Sequence, residues 1–101
     1  MIHFLKIWPQ YFEAVRDGSK TFEIRKNDRG FKVGDTLVLR EWSPGGDYTG
    51  REEVRPVTYI TFGPDMEIPR GYCVMALGWA SLSEDNRMLT RSEYEETQKL
   101  G

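Results

Sequence analysis

Apolar and polar positions alternate along most of the first eighty residues, and a helical period breaks the alternation once. Residues 2–7 read as a first strand, on which His3 shares parity with Leu5 and Ile7. Residues 9–17 read as a helix. Pro9 suits its first turn, Tyr11, Phe12 and Val15 form an apolar stripe, and Gly18 ends it. Strands follow over about 21–26, 36–42, 52–62 and from Tyr72 to Trp79. Turns are expected at Asn27-Asp28-Arg29-Gly30 and Val33-Gly34-Asp35, and a hairpin tip at Ser43-Pro44-Gly45-Gly46-Asp47. Pro56 predicts a bend in the fourth strand, because proline gives no donor to a ladder. Alternation and strand propensity point Phe22, Ile24, Leu37, Leu39, Ile60, Val74 and Ala76 inward. On that reading Glu23 and Arg25 stand side by side on the outer face.

Several short strands and one early helix predict a mainly β domain of the α+β kind. The expected form is a small barrel, open or closed, with one N-terminal helix packed on it. A chain of 101 residues builds one core and no second. The domain is assigned to residues 1–80, and 81–101 form a polar, acidic tail. Thr90-Arg91-Ser92-Glu93 has capping-box spacing, so a short second helix is expected from 90 to about 100.

Composition narrows the class. Apolar residues make up 39% and charged residues 30%, which fits a folded domain with an ordinary polar surface. No apolar run reaches the length of a membrane helix, so no membrane contact is expected. The single cysteine, Cys73, cannot form an internal disulfide and suits a reducing, cytoplasmic location. One histidine and one cysteine cannot assemble the usual nitrogen and sulfur zinc set, and no phosphate-loop or dinucleotide fingerprint exists. Neither a metal nor a cofactor is expected. The net charge is −2, and the excess acid lies in the tail. Residues 20–32 carry the opposite bias: Lys20, Arg25, Lys26, Arg29 and Lys32 outnumber Glu23 and Asp28. A local basic patch on a near-neutral domain binds short anionic ligands, although a charge run can equally be a solvated face.

The candidate chemistry concentrates in Gly18-Ser19-Lys20-Thr21-Phe22-Glu23-Ile24-Arg25-Lys26, with Gly34-Asp35 after it. G-x-K-T-x-E-x-R followed by a G-D turn resembles the signature of ASCH domains, members of the PUA-like superfamily. HFLKIWPQYFEAV, FKVGDTLVLRE, DYTGRE and GYCVMALGW match in order a group of small stand-alone bacterial and phage proteins within it. The resemblance covers residues 1–80. It implies a PUA-like barrel that handles RNA or modified nucleosides, with its ligand cleft between helix and barrel. On it, the preferred function is RNA or nucleotide binding by Lys20, Glu23 and Arg25, with Lys6, Lys26 and Trp8 at the rim. Glutamate suits an amino-group donor on a base edge, and arginine grips two acceptors at once. The same triplet would also serve as a salt-bridge network holding strand register.

Two other functions stay open. Some ASCH proteins hydrolyse N4-acylated cytidines without a metal, which would make Lys20 the activated amine and Glu23 the acid-base group. This chain has Glu23 where those enzymes have threonine, and lacks their inserted helix with its further acidic residue; only Asp65 and Glu67 lie in the 63–71 loop. The third function is a protein-interaction module that docks through the acidic tail. Among the remaining residues, Trp8 is the best candidate to stack a base, since Lys6 precedes it and Pro9 follows. Trp79 reads as core. His3 reads as half-buried structure, and Cys73 as a small buried hydrophobe.

Overall fold

The computed structural model of the protein describes residues 1–79. The tail over 81–101, with the helix expected from 90, lies outside the described residues. Five strands and one helix make up the domain: β1 (Ile2–Ile7), α1 (Pro9–Arg16), β2 (Phe22–Lys26), β3 (Thr36–Trp42), β4 (Tyr48–Phe62) and β5 (Tyr72–Leu77). Asp65–Glu67 forms one 3-10 turn between β4 and β5. The strand order is β1-β3-β4-β5-β2. The β1–β3 pair is parallel and every other pair antiparallel.

α1 starts where proline permits. Trp8 is extended, its carbonyl accepts the Phe12 N–H at 2.8 Å, and Pro9 occupies the first turn, where no N–H is needed. It stops at Gly18, whose φ of +86° is cheap only without a Cβ. Phe12 and Val15 bury the inner stripe; Tyr11 stays exposed.

β4 decides the shape of the sheet. Its first half pairs with β3 as far as Thr36↔Pro56, and its second half pairs with β5 from Val57↔Leu77. A register shift between Val57 and Tyr59 bends the strand where partners change. Pro56 sits at this corner, and its carbonyl accepts the Gly78 N–H at 2.9 Å. The bend wraps the sheet around one core of Leu5, Ile7, Phe12, Val15, Phe31, Leu37, Leu39, Val57, Cys73, Met75 and Leu77. No ladder joins the edge strands β1 and β2 among the described residues, so hydrogen bonding does not close the sheet into a barrel. Two arginine side chains span the seam instead. Arg25 Nη2 donates to the Lys6 carbonyl and Arg29 Nη1 to the Phe4 carbonyl, each at 2.7 Å. Those carbonyls belong to the free edge of β1, and guanidinium groups satisfy them in place of a strand.

The faces of β2 and β5 are the reverse of the sequence expectation. Leu37 and Leu39 are fully buried, but Phe22 and Ile24 are 43% and 56% exposed, and Glu23 is only 4% exposed. Val74, Ala76 and Ile60 are half-buried, while Cys73 and Met75 are sealed. Register enforces this outcome. Phe22 opposes Ala76 and Ile24 opposes Val74, whereas Glu23 opposes Met75 and Arg25 opposes Cys73. Opposed residues share a face, so once Cys73 and Met75 turn inward, Glu23 and Arg25 follow. The cost is bearable because Glu23 carries its own counter-ions and β2 borders an open seam.

Candidate functional site

The seam also holds a cavity. A cleft of about 560 Å³ opens there, lined by Lys6, Ile7 and Trp8 at the end of β1, Tyr11 of α1, and Lys20 with Phe22, Glu23, Ile24 and Arg25 from β2 and its approach. β2 is an edge strand, so the cleft touches side chains on both of its faces. The structure thus brings together Lys6, Trp8, Lys20, Glu23 and Arg25. Lys26, assigned to the rim from sequence, does not line the cleft.

Glu23 organises the base of the cleft. Lys20 Nζ donates to its Oε1 at 2.5 Å, and Arg25 Nε donates to its Oε2 at 2.8 Å. One buried carboxylate therefore holds two cations side by side. Lys20 Nζ also donates to the Phe22 carbonyl at 2.8 Å, which fixes its direction. Each cation remains partly open, with Lys20 18% and Arg25 26% exposed along the side chain. An ammonium has three donors and a guanidinium five, so both retain donors for a ligand. With Lys6, the lining carries three cations against one carboxylate, a local charge of +2 on an acidic protein.

Aromatic rings form the walls. Trp8 and Tyr11 stack at 6.4 Å between centroids and an interplanar angle of 24°. Lys20 Nζ lies 5.0 Å from the Phe22 ring and 5.9 Å from the Tyr11 ring. The sequence reading named neither Tyr11 nor Phe22 for the site. Tyr11 had a legible signal, because Trp8 and Tyr11 are three apart at a helix start and share a face. Phe22 had none, since its exposure follows from pairing with β5.

Other motif residues serve the framework. His3 is buried; its Nε2 lies 2.8 Å from Asp35 Oδ2, and its ring meets Phe31 edge-on at 4.8 Å. Burial alone would raise the Asp35 carboxyl, but hydrogen bonds from His3, the Lys32 N–H and the Met1 ammonium together outweigh it and hold the carboxyl below its ordinary value. The Gly34-Asp35 turn is thereby pinned to β1. In the DYTGRE segment, Arg51 donates to Glu41 through Nε and Nη2 at 2.9 and 2.8 Å, and Thr49 Oγ1 donates to Glu41 at 2.6 Å. Hydrogen bonds from Arg51 and Thr49 lower the Glu41 carboxyl to about 2. Arg51 also reaches Glu13 and covers the Phe12 ring at 4.7 Å, fastening α1 to the sheet. Arg55 is buried too, and donates to Glu53 and to the Val15 carbonyl near the end of α1. Burial pushes the Cys73 thiol above its ordinary range. Among the described residues, no group of three or more His, Cys, Asp or Glu side chains is placed to hold a metal. None of their helices is long and apolar enough to cross a membrane.

Fold and site together define a mainly β domain with one helix, whose sheet leaves a cationic, aromatic-walled cleft at its open seam. The chain belongs to the family described as a domain of unknown function, DUF3850, whose pattern matches residues 2–77. Over 60 residues it is 43% identical to the "Uncharacterized 12.9 kDa protein in GpA 3'region" of Escherichia phage P2. That match takes in 59% of this chain and 54% of the phage protein, so the similarity spans about half of that relative's length.

Proposed function

We propose that the protein binds a nucleotide or modified nucleoside, free or within RNA, in the seam cleft. On this reading the bent sheet is a PUA-like barrel with one open seam, in line with the ASCH resemblance of the Lys20–Arg25 strand. One observation carries the proposal: a single buried carboxylate presents two cations at the base of an aromatic-walled cleft. The cleft volume of about 560 Å³ lies in the usual range for small-ligand sites. A base stacks on the Trp8, Tyr11 or Phe22 rings, while Lys20, Arg25 and Lys6 meet its carbonyl or phosphate oxygens. Both Glu23 oxygens are already engaged, so Glu23 positions the cations and the ligand contacts fall to Lys20 and Arg25.

Hydrolysis of N4-acylated cytidine is the second reading, favoured by the pairing of Lys20 with Glu23. It requires Lys20 as a free amine, yet Lys20 donates to two acceptors, and neither Asp65 nor Glu67 lines the cleft. Binding is the better-supported function. An NMR titration with the four nucleoside monophosphates and N4-acetylcytidine tests it. Shifts at Lys6, Trp8, Tyr11 and residues 20–25 are expected, and they should weaken in Lys20→Gln and Arg25→Gln. Release of cytidine from N4-acetylcytidine would establish the hydrolase instead. Unchanged spectra at those residues with every ligand at millimolar concentration would end both readings.

A further inference from the structure

The outer face of β1, β3 and β4 carries a second set of aromatic and cationic side chains, continuous with the cleft through Lys6. Lys6 opposes Arg40 across the parallel pair, and Trp42 opposes Tyr48 across the hairpin. Glu41 between them is buried, so Arg40 and Trp42 point outward together. The contacts agree. Lys6 Nζ lies 4.9 Å from the Trp42 ring, and the Arg40 guanidinium stacks on Tyr48 at 4.0 Å. The β3–β4 register shifts between Arg40 and Trp42, and the two ring contacts set the aromatic pair directly beside the cationic pair.

We infer that this face is a platform for single-stranded nucleic acid, along which nucleotides flanking the one in the cleft are bound. Sequence-tolerant recognition of single strands needs rings for base faces and cations tracking the phosphates, and this face supplies both in neighbouring rows. Its cations remain available to an anionic strand: the Glu52 carboxylate meets Arg40 only loosely, at 3.9 Å and half-exposed, and Lys6 lies over the Trp42 ring. Lys6 belongs to both surfaces, lining the cleft and covering Trp42, and so joins them into one track. The inference deepens the cleft reading and rests on it for one nucleotide. It adds that the preferred ligand is an oligonucleotide.

Titrations with a single nucleotide and with single-stranded RNA of two, four and six nucleotides separate the two claims. Affinity is expected to rise with length up to about four nucleotides, with shifts at the Trp42 indole and at Tyr48. Tyr48→Ala should weaken the tetranucleotide about tenfold, the effect of one lost stack, and leave the mononucleotide unchanged. Arg40→Gln should reduce the slope of log affinity on log salt by about 0.7, the share of one single-strand phosphate contact. Tyr48→Phe keeps the ring and should bind as the parent, which distinguishes lost stacking from a disturbed hairpin. Equal affinity for one and four nucleotides, or tetranucleotide binding unaltered by both Tyr48→Ala and Arg40→Gln, would overturn the platform while leaving the cleft intact. Length-dependent binding that responds to Tyr48 but not to Lys20 or Arg25 would retain the platform and remove the cleft.

Discussion

Glu23→Gln is the most searching perturbation, because the residue is buried, charged and shared by two cations. The substitution preserves shape and removes the charge. Glutamine keeps one acceptor, so one cation retains a hydrogen bond to a neutral oxygen while the other faces an amide NH₂ with no lone pair to offer. A hydrogen bond to a charged group is worth about 1.5–3 kcal/mol, and removing one partner of a fully buried ion pair costs about 3–5 kcal/mol. Lys20 and Arg25 keep 18% and 26% of their side-chain surface and can draw on water after the change. The expected loss is therefore at the lower end, about 2–3 kcal/mol. For a domain of this size that lowers Tm by roughly 10–20 °C. Urea unfolding followed by tryptophan fluorescence measures it, with the m-value unchanged if the folded and unfolded states stay the same. The triple replacement Lys20→Met, Glu23→Leu, Arg25→Met should recover most of the loss, since apolar groups of similar volume replace buried ion clusters at little or no cost. It should bind no ligand in the cleft. A loss below about 0.5 kcal/mol for Glu23→Gln, the scale of an exposed pair, would refute the reasoning and return Glu23 to the outer face of β2.

Three further outcomes follow from the framework. The folded Glu41 carboxyl is lowered to about 2 from 4.5, so its contribution is complete above pH 4.5 and disappears as pH falls toward 2. Glu41→Gln should flatten that acid limb in pH-dependent unfolding, and an unchanged limb would exclude the Arg51 and Thr49 contacts as its source. A Cβ at Gly63 would lie 2.0 Å from the Pro69 carbonyl oxygen, so Gly63→Ala should cost more than about 2 kcal/mol in urea unfolding. Native Cys73 should resist a thiol reagent until unfolding, because it is fully buried and its thiol is shifted away from the thiolate; labelling at the rate of a free thiol would contradict its place in the core.

What the sequence determined by itself was local. Pro9 and Gly18 bracket α1, because one lacks an N–H where none is needed and the other tolerates positive φ. Pro56 marks the corner of β4, and alternation places four strands within two residues of their observed limits, whereas β4 starts at Tyr48, four residues before the expected 52. His3, on the parity of Leu5 and Ile7, is structural as expected, but fully buried where half-burial was expected. The side on which β2 turns was a different matter. Its residues alternate cleanly, but a period of two leaves two faces to choose from, and hydrophobicity favoured Phe22 and Ile24. Pairing with β5 chose otherwise, since Cys73 and Met75 fill the core and carry Glu23 and Arg25 inward with them. The cleft likewise exists only in three dimensions. Lys6 and Trp8 meet Lys20 and Arg25 because the bend in β4 carries the two sheet edges toward each other, and the free carbonyls of β1 draw arginine across the gap. Local propensity acts over a turn or a strand; the choice of face depends on partners about fifty residues apart, and the seam on partners 19 and 25 residues apart, which no local pattern records.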